Sequence, residues 1–507
     1  MSSIKDLEKA SVADGSITEV KVDARAASKD KARQLLLNHN VNFEPNSVEA
    51  KRVLRKIDMR IMPMCFCVYL LMLLDKSGLS FAGIMGLRQE TGLNTFQFSW
   101  LGSIVYFGYL AGELPGSYMM QRLSLCKYFS IMCMLWGIVV LMHAVCNNFA
   151  TFLVVRFLLG FAEVCTAPAV IIILGSWYTK TEQVLRVALW YTTSGFSNIF
   201  GGFFAWCIFQ ANSFRWQALF LFYGSLTFIT GVVLYFFLAV SPTEAKWLTD
   251  DEKVIALERV RSNKTGTEVW RFNWSQLKET FLDPRLYIIF LLLASTGLPN
   301  GGLTVFGPEI IGQFGFDTEQ TTLLSMVPGF ATVIGTGVAL VVAKYTNRTI
   351  AGIWTVALAC IGVIMMFTIP KSNPAGRYGG YIITLQFPIA VLFIVTFMTA
   401  GVSGSTKKVA FGASYQLGFT FGSIVGPLTY TEKDGPEYLI AKYTMLVSLL
   451  IAIGLLASLG LIHKRWNDQR DKQDALDAQN GVMHEVIENE EFADLTDFQM
   501  RSFRYPL

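Results

Sequence analysis

The chain has 507 residues, of which 52% are hydrophobic and only 16% are charged, with a formal net charge of +4 at neutral pH. Soluble proteins carry about 25% charged residues, so this composition is typical of a protein embedded in membrane lipid. A charge this small argues against nucleic acid as a partner. The four His residues show no metal-ligand spacing, and the eight Cys residues are interpreted as small packing residues. Neither a metal nor a cofactor is therefore predicted.

Apolar segments recur along the chain at the length that a membrane-spanning helix needs, about 20 residues. The first six predicted spans are 60–80, 97–118, 128–147, 151–175, 187–209 and 216–240. After a polar stretch, six more follow at 286–306, 320–343, 349–369, 378–400, 409–430 and 443–463. The predicted fold class is therefore an all-α membrane protein with twelve transmembrane helices in two six-helix bundles.

Loop charges predict the domain organisation and its orientation. Lys and Arg are concentrated in the even-numbered connections and the central loop, which places both termini in the cytosol. The predicted units are a cytosolic N-terminal tail (1–56), an N-terminal bundle (57–240), a cytosolic central loop (241–285), a C-terminal bundle (286–463) and a cytosolic C-terminal tail (464–507).

Two of these cytosolic units carry further signals. In the central loop, Thr249 and Glu252 form a capping-box pattern that predicts a short helix, which we expect to lie on the cytosolic surface and tie the bundles together. The C-terminal tail is polar and contains an acidic stretch. It is interpreted as solvated and flexible, with a trafficking or turnover signal as the alternative.

Five ionisable residues interrupt the predicted spans, and all of them lie in the first bundle: Asp75, Lys76, Glu113, Arg156 and Glu163. A charge at the bilayer centre costs at least about 2.5–3.5 kcal/mol, so such residues usually mark an ion or substrate path. At 1.5 Å rise per residue, Lys76 and Arg156 reach roughly the same depth, which suits a carboxylate ligand. Seven residues separate Arg156 from Glu163, so both lie on one helix face and can serve anion binding and proton transfer.

Structural interpretations of these charges remain open. Arg156 with Glu163, and Asp75 with Lys76, could form internal salt bridges that set helix packing. Neighbouring residues on a helix point about 100° apart, so Asp75 or Lys76 must find a partner on another helix.

Other polar residues of the spans are assigned gating or binding roles. Glu113 lies near the cytosolic end of span 2, where a gating ion pair with Arg122 or Arg186 is expected. The candidate solute contacts in or near the spans are Tyr106, Asn300 and Gln416. A packing hydrogen bond is the alternative for each of them.

Several motifs resemble one family of transporters. The segments Ile57–Pro63, Leu74–Lys76, Phe107–Pro115 and Val155–Glu163 resemble the fungal anion:cation symporters of the major facilitator superfamily. Asp75–Lys76, Leu298–Gly302 and the tail from Glu491 to Tyr505 resemble its allantoate permease subgroup in particular. The resemblance covers nearly the whole chain from about residue 50.

This resemblance implies a major facilitator fold and proton-coupled uptake of an organic anion by alternating access. It implies that Arg156 engages the anion and that Glu163 and Asp75 serve proton coupling. Many of these symporters carry Arg where this chain has Lys76, and Lys lacks the bidentate fork of Arg. Substrate identity is therefore not transferred; ureido acids such as allantoate, vitamins and amino-acid-like carboxylates all remain candidates.

The functional prediction is a proton-coupled, monomeric importer of a small organic anion in the plasma membrane, with lipid as its surroundings. An exporter or carrier of a fungal metabolite is the alternative within the transporters. A non-transporting nutrient sensor would need a long signalling tail. An enzyme would need a nucleophile, an acid–base pair or a metal motif, and the sequence shows none of the usual ones.

Overall fold

The structure is a computed structural model that describes residues 47–211, 215–261, 273–435, 437–479, 495–500 and 502–506. Within these ranges the regular structure is helical and no strand occurs. Of the predicted N-terminal tail, residues 1–46 lie outside the described ranges, and residues 48–56 belong to the first helix instead.

The N-terminal half begins with a long helix that ends in a π-helical turn at Gly83–Leu87 and a short helix at Arg88–Thr91. Its seven main helices are α1 (Val48–Ala82), α2 (Thr95–Arg122), α3 (Leu125–Met142), α4 (Phe149–Glu163), α5 (Thr166–Trp177), α6 (Lys180–Gln210) and α7 (Arg215–Phe237). The π-helical turn contains Gly86 at φ 108°, a backbone conformation that glycine adopts without steric cost.

Two linker helices precede the C-terminal half, namely α8 (Asp250–Arg261) and α9 (Trp274–Leu282). The half itself comprises α10 (Pro284–Gln313), α11 (Thr318–Leu324), α12 (Val327–Tyr345), α13 (Arg348–Thr368), α14 (Pro374–Thr384), α15 (Ile389–Gly401), α16 (Ser405–Leu428) and α17 (Leu439–Gln479).

Nine segments of the described chain are long and apolar enough to cross a membrane. Three further long helices, α2, α6 and α16, lie at three other predicted spans but are less apolar. That these three also cross the membrane stays a prediction, as does the orientation of the termini.

Proline explains where two of the spans break. Pro168 lacks a backbone N–H and leaves the carbonyl of residue 164 without its helical partner, and α4 ends at Glu163 beside it. Pro388 has the same effect between α14 and α15. The first of these breaks places the end of α4 directly at a buried carboxylate.

Glycines bring the helices of each half into backbone contact. On α2, a Cβ at Gly108 would lie 2.2 Å from the Phe157 carbonyl oxygen, and on α4 a Cβ at Gly160 would lie 2.0 Å from that of Val105. On α16, a Cβ at Gly422 would lie 2.1 Å from the Ala294 carbonyl oxygen of α10. Small residues at four-residue spacing are the usual means of close helix packing in membranes, so both pairs are held at a fixed separation.

The central loop divides between the two halves. The predicted capping box is present, since Thr249 N–H donates to Glu252 and Glu252 N–H donates to Thr249 Oγ1, at 3.1 and 3.3 Å. Helix α8 binds the N-terminal half through Lys56–Glu252 and through Arg259–Glu182 at 2.6 Å.

Helix α9 binds the C-terminal half. Asn273 N–H donates to Thr406 Oγ1 at 2.9 Å, and Lys407 pairs with Glu279 at 2.8 Å. The predicted short helix is thus α8, attached to the N-terminal half, and a second helix, α9, is attached to the C-terminal half. That the loop ties the bundles together stays a prediction.

The C-terminal tail differs from the prediction of a solvated segment. Helix α17 continues to Gln479, well beyond the predicted end of its span at residue 463. Residues 495–500 and 502–506 pack on the C-terminal half, where Thr496 and Asp497 are fully buried. The acidic composition of the tail suggested that it is solvated. Its burial could not be predicted, because the partners of Asp497 lie far away in the sequence. The predicted acidic stretch itself lies mostly outside the described residues.

Candidate functional site

Four charged side chains of the N-terminal half converge between α1 and α4. Asp75, Arg156 and Glu163 are only 2%, 2% and 1% exposed, and the Lys76 side chain is 19% exposed. Lys76 and Arg156 line one cavity of ≈20 Å³, as their similar predicted depth suggests. The other residues lining it are Leu79, Gly102, Val105, Tyr106, Gly301, Thr304 and Val305. The cavity therefore lies between the two halves, with its cations on the N-terminal side.

Arg156 is a buried cation with unused hydrogen-bonding capacity. Its Nε and Nη2 atoms have no acceptor among the described residues. Its guanidinium lies over the ring of Phe220, with Cζ 5.8 Å from the centroid. A buried donor without an acceptor is costly, so the guanidinium is available to an anion entering the cavity.

Lys76 and Glu163 form the closest charge pair of the cavity. Lys76 Nζ lies 3.6 Å from Glu163 Oε1 and 4.9 Å from the centroid of the Tyr109 ring. Of the two interpretations open for Arg156 and Glu163, the salt bridge is not formed, since no ion pair within 4.0 Å joins them in the described chain. Lys76 is the partner of Glu163 instead.

Asp75 faces away from Lys76, as expected of neighbours on a helix. Thr227 Oγ1 on α7 donates to Asp75 Oδ2 at 3.4 Å, and Oδ1 has no hydrogen-bond partner among the described residues. Asp75 also interacts electrostatically with Arg156 and Glu163. It is therefore linked to the cavity charges while lying behind them within the N-terminal half.

Tyrosines form much of the wall around these charges. Tyr106 lines the cavity, and its ring lies edge-on to that of Tyr109, with centroids 5.9 Å apart. Tyr69 on α1 and Tyr415 on α16 are half-buried and pack against the core. The sequence prediction missed Tyr69, although it lies seven residues before Lys76 and hence on nearly the same helix face.

The C-terminal half contributes neutral groups. Gly301, Thr304 and Val305 of α10 line the cavity, and the Thr304 hydroxyl donates to the backbone carbonyl of Asn300 at 2.7 Å. The predicted contacts Asn300 and Gln416 are half-buried and lie outside the cavity lining. Thr304 was not singled out because one hydroxyl in an apolar span carries no distinctive signal.

The predicted gating residues are engaged differently from the expected pairing. Arg186 holds Asp58 in a bidentate contact, Nε–Oδ1 2.9 Å and Nη2–Oδ2 2.8 Å. Arg122 lies over the ring of Tyr118 at 5.5 Å. Half-buried Glu113 has no ion pair within 4.0 Å to either Arg among the described side chains. Asp58 is the nearer partner because α1 begins at Val48 and extends beyond its predicted span.

Polar contacts between the halves gather at the end that the sequence predicts to face outside. Arg88 pairs across the halves with Glu309 at 3.0 Å, and Tyr438 of the C-terminal half donates to the same carboxylate at 2.9 Å. Thr95 N–H donates to Glu432 Oε1 at 2.9 Å. These contacts hold that end of the cavity closed in this conformation.

Metal chemistry has no support in the described part of the chain. No group of three or more His, Cys, Asp or Glu side chains there is placed to hold a metal ion. The eight Cys residues are free thiols.

Comparison with known proteins identifies relatives over nearly the full length. A family model described as Major Facilitator Superfamily matches residues 65–427. An uncharacterized transporter of Schizosaccharomyces pombe is 33% identical over 487 residues, which cover 95% of this chain and 92% of the relative. A thiamine pathway transporter of Saccharomyces cerevisiae is 32% identical, with 93% and 89% covered. The allantoate permease of the same yeast is 29% identical, with 96% and 90% covered.

Solved structures agree in fold. A bacterial homologue of the human lysosomal transporter Spinster, in an inward-facing and unoccupied conformation, matches with a TM-score of 0.59 at 14% identity, covering 79% of this chain and 96% of that one. The xylose transporter XylE of E. coli, in a partially occluded inward-open conformation, matches with a TM-score of 0.55 at 15% identity, covering 77% and 95%. At such identities the likeness concerns the fold alone.

Proposed function

The chain belongs to the Major Facilitator Superfamily, and from this we propose that it is a proton-coupled symporter of a small organic anion that works by alternating access. The transporters and permeases among its relatives make it a multi-pass membrane transporter of a small molecule and not an enzyme. The proposal concerns its coupling ion, its class of substrate, the plasma membrane as its location and a monomeric state.

The buried guanidinium of Arg156 carries the proposal. It lines a cavity between the halves, and its Nε and Nη2 have no acceptor in the described chain. Guanidinium binds carboxylates through parallel hydrogen bonds that are about twice as strong as neutral ones. At ≈20 Å³ the cavity is too small for the solute in this conformation. Once it opens, a carboxylate would satisfy the unpaired donors and lie beside Lys76.

The contact between Lys76 and Glu163 supports coupling to protons. While Glu163 is ionised, it holds Lys76 at 3.6 Å. Protonation of Glu163 removes that attraction and leaves Lys76 free to share the substrate anion with Arg156. Release of the proton restores the pair and displaces the anion, so solute and proton move together.

The contacts at the predicted outer end support alternating access. Arg88 of the N-terminal half binds Glu309 of the C-terminal half, whose carboxylate also accepts from Tyr438 within that half. The contact of Arg88 with Glu309 closes one end of the cavity. Transport then requires these contacts to break when the opposite end closes. Near the predicted cytosolic end, Arg186 pairs with Asp58 inside the N-terminal half. We assign this pair, with Glu113 and Arg122, the gating role at that end.

The allantoate permease among the relatives suggests ureido acids first, followed by vitamins and amino-acid-like carboxylates. Lys76 is a point charge without a fork, so we assign bidentate recognition to Arg156 and the general charge requirement to Lys76. The tyrosines at positions 106 and 109 offer hydroxyl groups and ring faces to the rest of the solute.

The test is uptake of labelled allantoate, ureidosuccinate, nicotinate, cysteine, thiamine and dipeptides by cells that lack their own carriers. The accumulated substrate should fall to the external concentration when a protonophore is added. Glu163→Gln should keep substrate binding and exchange but lose accumulation, because the proton site is gone. Glu244→Gln, which changes an exposed carboxylate in the connection after α7, is the matched control. Normal accumulation by Glu163→Gln would contradict the coupling role.

A further inference from the structure

The C-terminal strap, defined here as residues 495–500 and 502–506, occupies a groove at the predicted cytosolic end of the C-terminal half. Thr496 and Asp497 are fully buried, and Met500 and Tyr505 are 9% and 3% exposed. The groove is formed by α9, the start of α10, the connection between α15 and α16, and the end of α17. Burial this deep indicates a specific docked segment.

Asp497 is the central anchor of the strap. Its Oδ2 accepts from Arg285 Nη2 at 2.5 Å and from the Tyr505 hydroxyl at 3.0 Å. Its Oδ1 lies 3.0 Å from Lys407 Nζ and accepts from Ser403 N–H at 3.3 Å. Four donors surround one carboxylate, so both of its oxygens are fully satisfied.

The groove needs this carboxylate for its own charge balance. The side chains of Arg285 and Lys407 are 1% and 0% exposed, and the fully buried anions that face them are Asp283 and Asp497. Glu279 also contacts Lys407, but its side chain is 21% exposed. Without the strap, the two cations would keep Asp283 and the partly exposed Glu279 as counterions and would lose Asp497. Loss of one partner from a buried charge cluster is strongly unfavourable.

Side chains at the end of α17 bind the backbone of the strap. Asn467 donates to the Tyr505 carbonyl and accepts from the Tyr505 N–H, both at 2.9 Å. His463 Nδ1 lies 2.9 Å from the Pro506 carbonyl oxygen, and Arg470 donates to the Asp497 carbonyl at 2.7 Å. The helix positions 463, 467 and 470 lie on one face, as a site for an extended peptide requires.

Aromatic contacts complete the binding site. The Tyr505 ring lies 5.1 Å from those of His463 and Trp466, and Arg285 lies 4.9 Å from its centroid. The Phe498 ring lies 5.3 Å from Trp466, and Lys407 Nζ lies 3.8 Å from its centroid. A buried ion pair flanked by aromatic anchors resembles the energetic centre of a protein–peptide interface.

We propose that this groove is a peptide-binding site which the protein fills with its own C-terminus, and that occupancy of the groove sets the transport rate. The strap joins the starts of α10 and α16 through Arg285 and Lys407, and the same α10 lines the central cavity through Gly301 and Thr304. Docking therefore fixes the spacing of two helices that must move as one body when the halves rock. Release of the strap slows transport without altering the solute contacts.

The first experiment measures docking in the full-length protein. Hydrogen exchange at residues 495–506 should be slow in the parent protein and fast in Asp497→Asn. Asp468→Asn, an exposed aspartate on α17, is the matched control and should exchange like the parent. Rapid exchange in the parent protein would overturn the proposal.

The second experiment measures the proposed site directly and does not depend on transport. The protein truncated after Gln479 should bind a synthetic peptide with the sequence of residues 495–507. The Asp497→Asn peptide should bind about 30-fold more weakly or worse, because one partner of a buried charge pair is lost. Equal binding of the two peptides, or no binding to a folded truncated protein, would overturn the proposal.

The third experiment measures rate and rests on the proposed function only in its choice of transported solute. Asp497→Asn should lower the maximal uptake rate about fivefold or more and leave the half-saturating concentration unchanged. The 495–507 peptide should restore the rate of the truncated protein in inside-out vesicles. An unchanged rate in a variant whose strap is released would refute the regulatory role, whereas loss of substrate uptake in the parent protein would refute the transport proposal instead.

Discussion

The central cavity and the strap groove both contain buried charged side chains, but among the described residues only those of the groove have all their hydrogen-bond partners. Around the cavity, Lys76 and Glu163 stand 3.6 Å apart, and two nitrogens of Arg156 have no acceptor in the described chain. In the groove, Asp497 is bound by four donors at 2.5–3.3 Å. Both groups are buried, so solvent does not explain the difference.

The difference indicates which buried charges serve binding and which serve stability. A buried charge whose partners are all present stabilises one arrangement of the chain, and removal of one partner is costly. A buried charge with unused donors lowers stability and is retained where a ligand completes it.

The largest expected effect is the loss of protein stability when a charged residue of the strap groove is replaced. Arg285→Gln should destabilise the protein by about 3–5 kcal/mol, because Asp283 and Asp497 would lose their shared guanidinium. The measurement is the melting temperature of the purified protein in detergent. An unchanged melting temperature would show that the groove is not a stabilising centre.

Arg156→Gln should weaken solute binding and have little effect on stability, the reverse of what is expected for Arg285→Gln. The apparent affinity for the solute in uptake assays should weaken by about 1.5–3 kcal/mol, the contribution of a hydrogen bond to a charged group. The melting temperature should fall much less than in Arg285→Gln, because no hydrogen bond to described residues is lost at Nε or Nη2. A loss of stability as large as that of Arg285→Gln would remove the distinction between the two sites.

The groove should also respond to acid. Burial by itself raises the pKa of Asp497, but Arg285 and Lys407 outweigh it and leave the pKa below its ordinary value of 3.8. The stability contributed by this carboxylate is thus fully present above pH 3.8 and is lost as the pH falls further below it. Hydrogen exchange of the strap as a function of pH checks this, and release near neutral pH would contradict it.

A smaller effect is expected at the closed end of the cavity. Glu309→Gln weakens the contacts with Arg88 and Tyr438, which should shift the balance toward the open outer end by about 1 kcal/mol. Labelling of a cysteine introduced at Thr304 by an impermeant thiol reagent reports this shift. The reverse shift would show that the contact does not close this end.

The smallest effect is expected at the rim of the strap groove. Asp474 pairs with Arg504 at 2.5 Å, but the two side chains are 45% and 35% exposed. Screening by water limits such a pair to less than about 1 kcal/mol. Asp474→Asn should therefore leave the melting temperature nearly unchanged. A loss approaching that of Arg285→Gln would show that the exposed pair stabilises the strap as much as the buried pair does.

Parts of this architecture were predictable because they depend on local sequence. The apolar segments match helices throughout the described chain, and Thr249 and Glu252 form the capping box that their spacing predicts. The charges inside the predicted spans pointed to the half whose cations line the cavity, and the depth estimate put Lys76 and Arg156 at one level, in agreement with the cavity that both line. Each inference uses only the hydropathy of a segment, the spacing of neighbouring residues or the rise of a helix.

Other parts depended on which distant residues meet. The partner of Arg186 is Asp58, 128 residues away, where the sequence suggested Glu113. The partners of Asp497 come from residues 285, 403, 407 and 505, so the composition of the tail alone predicted solvation. Charge pairs across such separations leave no periodic pattern in the sequence.

The amino-acid sequence by itself determined that this protein spans a membrane, and that the ionisable residues inside its predicted spans lie in the first half, because hydropathy and charge act locally along the chain. Only the tertiary structure decided which of those charges are paired. It left donors of Arg156 open toward a cavity and enclosed Asp497 among four donors. The physical reason is that satisfaction of a buried charge depends on the side chains that packing brings to it.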